Sequence, residues 1–181
     1  MKLNAKQLRT TTAPEELKQS VKRNPVFIIL DSVLDTYNIG AIFRLADAVA
    51  AERVILCGGS ETPPHTRIKK ASVNTTEWVS WEYKESAKQA IQDLRSKIQD
   101  IKIVSIEQNE KSVPYTDIPY TFPVALIVGH ETDGVSSDAM EASDYIAEIP
   151  MWGVNKSMNV MVSLGIVLFE AIKHFHHSSK V

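Results

Sequence analysis

The chain has 181 residues, 44% apolar and 23% charged, with a formal net charge of -2. That length suits one domain with short extensions and a full core, and the composition excludes a disordered chain. A single cysteine, Cys57, excludes an intramolecular disulfide; with no apolar h-region in residues 1–19 and no apolar run near spanning length, a cytosolic protein is expected.

Ala13-Pro14-Glu15-Glu16 reads as a helix start. Thr12 suits its cap, proline fits the first turn, and the acids suit the dipole, which predicts a helix to about Lys22. Pro25 precedes VFIILD, an apolar run expected as a buried strand. After SVLDTY, the segment NIGAIFRLADAVA spaces Ile39, Ile42, Phe43, Ala46 and Val49 as a helix does. RVILCGG reads as a second buried strand ending on glycines. EWVSWEY alternates as a strand does, which would set Trp78 and Trp81 on opposite faces. ESAKQAIQDLRSKI predicts an amphipathic helix with Ala87, Ala90, Ile91, Leu94 and Ile98 on one face. IKIVSIE is a further strand, and a proline-spaced loop, SVPYTDIPYTFP, leads into the strand VALIVG. HETDGVSSDAMEAS holds a turn and a short helix, DYIAEIP is a final strand, and a helix from Ser157 to about His174 ends the chain. Apolar strands alternating with helices predict an α/β fold: a mostly parallel sheet with helices on both faces. Ligands in such sheets bind beyond the carboxyl ends of the strands, so the loops after Asp31, Cys57, Val128 and Ile149 are the places to look.

The small net charge hides an uneven distribution. Residues 1–23 carry Lys2, Lys6, Arg9, Lys18, Lys22 and Arg23 against Glu15 and Glu16. Arg67, Lys69 and Lys70 form a second basic group. Lys173 and Lys180 sit in a histidine-rich tail, whereas residues 129–148 contain six acids and no Lys or Arg. Such patterning permits a local anionic partner, although solvated faces explain most charge runs.

Three constellations fall in the expected loops. Asn38-x-Gly40-x-x-x-Arg44 puts Gly40 and Arg44 on one helical face. The arginine suits a phosphate or another anion; a surface pair with Asp47 is the competing reading. VGHETDG sets Glu131 between glycines that permit tight turns, which is also how an ordinary polar loop looks. In NKSMN, Ser157 is a good cap for a helix that is apolar almost all round from Met158 to Phe169. Capping by Ser157 leaves Asn159 over, in the first turn, with an amide that needs partners if buried. Weaker signals are set aside. Gly58-Gly59 is no dinucleotide fingerprint, no G-x-S-x-G elbow occurs, Cys57 reads as core, and His174, His176 and His177 read as a solvated tail, so no metal is expected.

Taken together and in order, these constellations resemble the SPOUT superfamily, and more narrowly its SpoU (TrmH-like) branch of tRNA and rRNA ribose 2′-O-methyltransferases. The first motif is matched by Asn38, Gly40 and Arg44, the second by Gly129, Glu131 and Gly134. The third is matched by Ile149-Pro150-Met151 and Ser157-Met158-Asn159-Val160, and Lys70-Ala71-Ser72 looks like the Lys-x-Ser segment between the first two. The likeness covers roughly residues 26–172. Thr36, Asn74, His130 and Met158 depart from the usual pattern, His130 beside the pocket edge.

The resemblance implies a deep C-terminal trefoil knot over about residues 124–168, which general chain rules would not suggest. It implies S-adenosylmethionine held near Ile127, Val128, Gly129, Ile149, Met151, Ser157, Met158 and Val160. It implies a homodimer packed partly through the last helix. Residues 1–24 would form a basic extension and 25–181 the methyltransferase domain. Arg44 would act on the ribose 2′-oxygen, as a cation holding phosphate and developing charge, since arginine stays protonated. Asn38, Glu131, Ser157 and Asn159 would form the polar shell around it, Glu131 holding Arg44 in place. RNA would be gripped by Lys18, Lys22, Arg23, Arg67, Lys69 and Lys70. The rival reading is a catalytically silent RNA-binding protein on the same scaffold.

Overall fold

A computed structural model describes residues 3–10 and 13–178. Its frame is a seven-stranded sheet with every pairing parallel. The strands are β1 (Asn24–Asp31), β2 (Ala51–Cys57), β3 (Trp81–Lys84), β4 (Lys102–Ile106), β5 (Val113–Pro114), β6 (Val124–Gly129) and β7 (Tyr145–Glu148). Their order in space is β3-β2-β1-β6-β4-β7-β5. β1 and β6 sit near the middle and are buried without interruption from Val26 to Asp31 and from Val124 to Gly129. That is why these runs lack a polar face: both sides of each strand are covered.

Side-chain alternation divides the core between the two faces. Val26, Ile28, Leu30, Val54, Leu56, Leu126 and Val128 point to one side and pack with Ile39, Ile42 and Phe43 of α3 (Thr36–Ala48) and Leu164, Val167 and Leu168 of α7 (Val160–Ser178). Phe27, Ile29, Ile55, Ile103, Ala125 and Ile127 point to the other. They meet Ala87, Ala90, Ile91 and Leu94 of α5 (Ala87–Lys97) and Ala139 of α6 (Ser137–Glu141). The α/β sheet covered on both faces is therefore present.

Five elements differ from expectation, the first being β5, whose two residues lie in the segment read as a loop and pair with β7. The basic N-terminal segment forms two short helices, α1 (Ala5–Thr10) and α2 (Glu15–Gln19), not one helix to Lys22. The Ser20 hydroxyl donates to the Leu17 carbonyl (2.8 Å), and Asn24 already pairs with Ala50, so the helix has no room to continue. The expected cap Thr12, like Lys2 and Lys180, lies outside the described residues. Thr66–Ser72 forms α4, unforeseen because only Ile68 and Ser72 of its seven residues are buried, too few to show a period. The third strand starts at Trp81, since Thr75–Glu77 is a 3-10 turn and Trp78 closes it, its indole N–H donating to Asp47 Oδ1 (2.7 Å). Lastly, α7 begins at Val160 rather than Ser157.

Candidate active site

Parallel pairing brings Asp31, Cys57 and Gly129 level at the carboxyl edge of the sheet. Past that edge the chain after β6, β4 and β7 gathers around one cleft of about 420 Å³. The turn after β6 is closed by paired backbone hydrogen bonds between His130 and Gly134 (3.0 and 2.9 Å). Gly134 has φ +72°, a left-handed conformation that favours glycine, which accounts for VGHETDG. The His130 ring accepts the Thr132 and Asp133 amides at Nδ1 (3.1 Å each), so this imidazole shapes the turn from inside.

Glu131 leaves that turn and reaches the start of α3. Its carboxylate accepts the backbone N–H groups of Leu34 (3.1 Å) and Asp35 (3.0 Å) and the Asn38 side-chain amide (3.1 Å). Partial burial pushes its pKa up, but the Leu34 amide, the Asn38 side chain and the Asp35 amide outweigh that, holding the carboxyl below its ordinary value. Asn38 is buried, and its oxygen accepts from Asn159 Nδ2 (3.1 Å). Asn159 Oδ1 in turn accepts the amides of Met161 (3.0 Å) and Val162 (3.4 Å), capping α7. The relay has one consistent direction. A carboxylate only accepts, so Asn38 must turn its NH2 to Glu131 and its oxygen to Asn159. Asn159 then has its own oxygen left for the helix.

This reverses the expected division of labour at the last helix. Ser157 is not the cap: its N–H and hydroxyl both meet Asn155 Oδ1 (3.1 and 3.4 Å), and it sits exposed on the cleft wall. Asn159 has both jobs, capping with its oxygen and tying α7 to α3 with its NH2.

Arg44 stands apart. It is exposed on α3, outside the cleft wall, and makes no hydrogen bond or ion pair within the described residues. The competing surface pair is absent because Asp47 is taken by Trp78. The expected Glu131–Arg44 contact is absent too; Glu131 holds the backbone ahead of α3 instead. Of the residues expected around the donor, Val128, Gly129, Ile149, Met151, Ser157, Met158 and Val160 line the cleft. The Ile127 side chain turns to the opposite face of the sheet, among the α5 contacts. Glu107 and Gln108 also line the cleft; no motif marks them, and the signal for them is their place just past the carboxyl end of β4, where ligand loops follow strands.

Among the basic residues, Lys22, Arg67, Lys69 and Lys70 are exposed. Lys69 lies 3.3 Å from Glu77, and the half-buried Lys18 lies 3.5 Å from Glu15. Arg23 is turned inward, donating from Nη2 to the Trp78 carbonyl (2.6 Å). Among the described residues no group of three or more His, Cys, Asp or Glu is placed to hold a metal, and no helix is long and apolar enough to cross a membrane.

The model of the SpoU rRNA Methylase family matches residues 25–169. The tRNA (guanosine(18)-2′-O)-methyltransferase of Aquifex aeolicus is 32% identical over 83% of this chain and 70% of its own length. Among solved structures, the A. aeolicus TrmH/SpoU tRNA modifying enzyme superposes with a TM-score of 0.79 at 27% identity, over 97% of this chain and 84% of that one. The AdoMet-bound rRNA methyltransferase from Sinorhizobium meliloti gives 0.77 at 27% identity, over 87% of this chain but only 60% of that one.

Proposed function

The chain belongs to the SpoU rRNA Methylase family, and on that premise we propose that it transfers a methyl group from S-adenosylmethionine to a ribose 2′-hydroxyl of tRNA or rRNA. The observation that carries this reading is the Glu131–Asn38–Asn159 relay, which joins all three sequence motifs at the rim of one cleft. The cleft fits the donor in size, within the roughly 300–1,000 Å³ usual for small-molecule sites. Its wall joins the apolar Val128, Ile149, Met151 and Met158 to exposed backbone, carboxylates and amides, the mixture that a nucleoside joined to an amino acid calls for. When bound, the donor supplies a methyl group already activated on a sulfonium. The chain itself must hold the ribose oxygen in line and stabilise the charge that grows on it.

Asn159, on the cleft wall, positions the ribose, and the buried Asn38 orients it through the relay. Arg44, permanently charged, holds the neighbouring phosphate and the developing oxyanion. Its place outside the cleft of a single chain supports a homodimer in which Arg44 serves the partner's site. The exposed Val162 and Phe169 of α7 (40% and 52%) support the same assembly, since two large apolar side chains on a terminal helix gain by being covered. We read residues 124–168 as the trefoil knot, 1–24 as a basic extension, 25–181 as the methyltransferase domain, and the protein as cytoplasmic. The loops after β6 and β7 facing each other across one cleft support the knot, and a reduced, buried Cys57 suits the compartment.

The test is ribose methylation of bulk tRNA and rRNA by the purified protein with labelled S-adenosylmethionine. Arg44→Ala is expected to lower kcat/KM by about 10²-fold or more while donor binding persists. Methylation at the wild-type rate by Arg44→Ala would remove that residue from the site. Donor binding without methylation of either RNA class would leave only a silent binder.

A further inference from the structure

The chain that follows β4 touches both loops of the cleft, and no motif covers it. Glu107 is anchored by its own N–H to the Ala147 carbonyl (3.0 Å), so its backbone is fixed to β7. Its carboxylate then accepts the Val135 amide at Oε2 (2.9 Å) and the Gln108 amide at Oε1 (2.8 Å). Val135 immediately follows the closed 130–134 turn. Gly134 presents no side chain there, and an added Cβ would run into the Glu107 carboxylate. Gln108 reaches the other way, donating from Nε2 to the Ile149 carbonyl (3.2 Å), where the 149–159 loop departs. Beyond it, Ser112 Oγ donates to Glu148 Oε2 and keeps the segment on β7. Two consecutive side chains therefore hold the two walls of one cleft, one each.

We propose that Glu107 and Gln108 are positioning residues that set the spacing of the two donor-binding loops, Glu107 through Val135 and Gln108 through Ile149. The inference rests on the S-adenosylmethionine reading above and adds to it a part of the chain outside its motifs. Both residues lie just past the end of β4 at Ile106, and their side chains go to opposite walls of the cleft. Here the first is an acceptor and meets an N–H, and the second is a donor and meets a C=O.

Calorimetric titration of the full-length protein with S-adenosylmethionine tests this, alongside kcat and KM for donor and RNA separately. Glu107→Ala is expected to weaken donor binding tenfold or more, and Gln108→Ala three- to tenfold. In both, the donor KM should rise while the RNA KM holds. Glu107→Gln keeps an oxygen for the Val135 amide and should restore most of the affinity, whereas Glu107→Met, which keeps the bulk without that acceptor, should not. If Glu107→Ala does not fold, Gln108→Ala decides, because its exposed amide costs the fold little. Wild-type donor binding with unchanged affinity in Gln108→Ala, or equal losses in kcat and in both KM values, overturns the clamp alone. A wild-type protein that binds no donor overturns the methyltransferase reading and the clamp with it.

Discussion

Glu131 shows how a carboxylate at a loop tip is made structural. Three donors converge on it from the opening of α3, so its charge closes the gap between β1 and β6 at their carboxyl ends. Because these donors hold its pKa below the ordinary value of 4.5, the unfolded chain binds the proton more readily than the folded one. The stability it contributes is therefore complete above about pH 4.5 and lost as pH falls through the lower folded value. Glu131→Gln is expected to lose about 1 kcal/mol at neutral pH, a figure kept small by solvent screening, and to show a shallower acid limb between pH 5 and 3. Urea denaturation across that range reads both, and an acid limb as steep as the wild type's would contradict it. Glu131 and Asn159 were legible as residues to watch, from a loop after a strand and from an amide that capping left over. Their partners were not. The sequence places Asn155 within reach of Ser157 just as plainly as it places Ser157 at a helix start, and such short side-chain-to-backbone competition is decided by loop shape.

Helices announced themselves in proportion to their length. α3, α5 and α7 repeat an apolar face over three turns or more, whereas α4 has one buried aliphatic residue and therefore no period to read. Yet α4 explains why position 40 is glycine. A Cβ at Gly40 would lie 2.5 Å from Ala71 Cβ, 2.8 Å from the Ile68 oxygen and 2.9 Å from the Ser72 nitrogen. Two of those three atoms are backbone and cannot rotate away. Gly40→Ala should therefore destabilise the fold by about 1–3 kcal/mol, even though alanine is the better helix former by about 1 kcal/mol. Gly165 on α7 is the matched control. There a Cβ would meet only Leu45 methyl groups at 3.7 Å, an ordinary contact, so Gly165→Ala should be neutral or stabilising by up to about 1 kcal/mol. Thermal or urea midpoints of the two variants moving in the same direction would show that helix propensity, not the α3–α4 approach, governs both sites.

At the scale of the molecule, sheet class was legible but strand order was not. Runs such as VFIILD and VALIVG are buried on both sides and look alike, so nothing in them says that β6 lies beside β1 and β4 beside β6. Charge had the same limit: residues could be counted, but not which of them face water. The structure divides the basic groups. Lys22, Arg67 and Lys70 are exposed, Lys69 faces Glu77, and Arg23 is spent on the Trp78 carbonyl. Lys88 of α5, by contrast, pairs at 3.1 Å with Asp138 of the acidic 129–148 stretch. An RNA footprint built from Arg67 and Lys70 releases one counterion for each phosphate they neutralise. The double variant Arg67→Ala/Lys70→Ala is therefore expected to weaken RNA binding and flatten the slope of log K against log salt by about 1–2. Lys88→Ala should leave the slope unchanged. Arg23→Ala should cost stability before it costs slope, because it strips a hydrogen bond that joins the N-terminal segment to the turn before β3. Filter-binding isotherms at four or five salt concentrations separate these cases. An unchanged slope in the Arg67/Lys70 variant would move the RNA track off α4 and onto Lys22 and the N-terminal helices, whose contact with the domain is already made by Asn74 Nδ2 donating to the Leu8 carbonyl (2.7 Å).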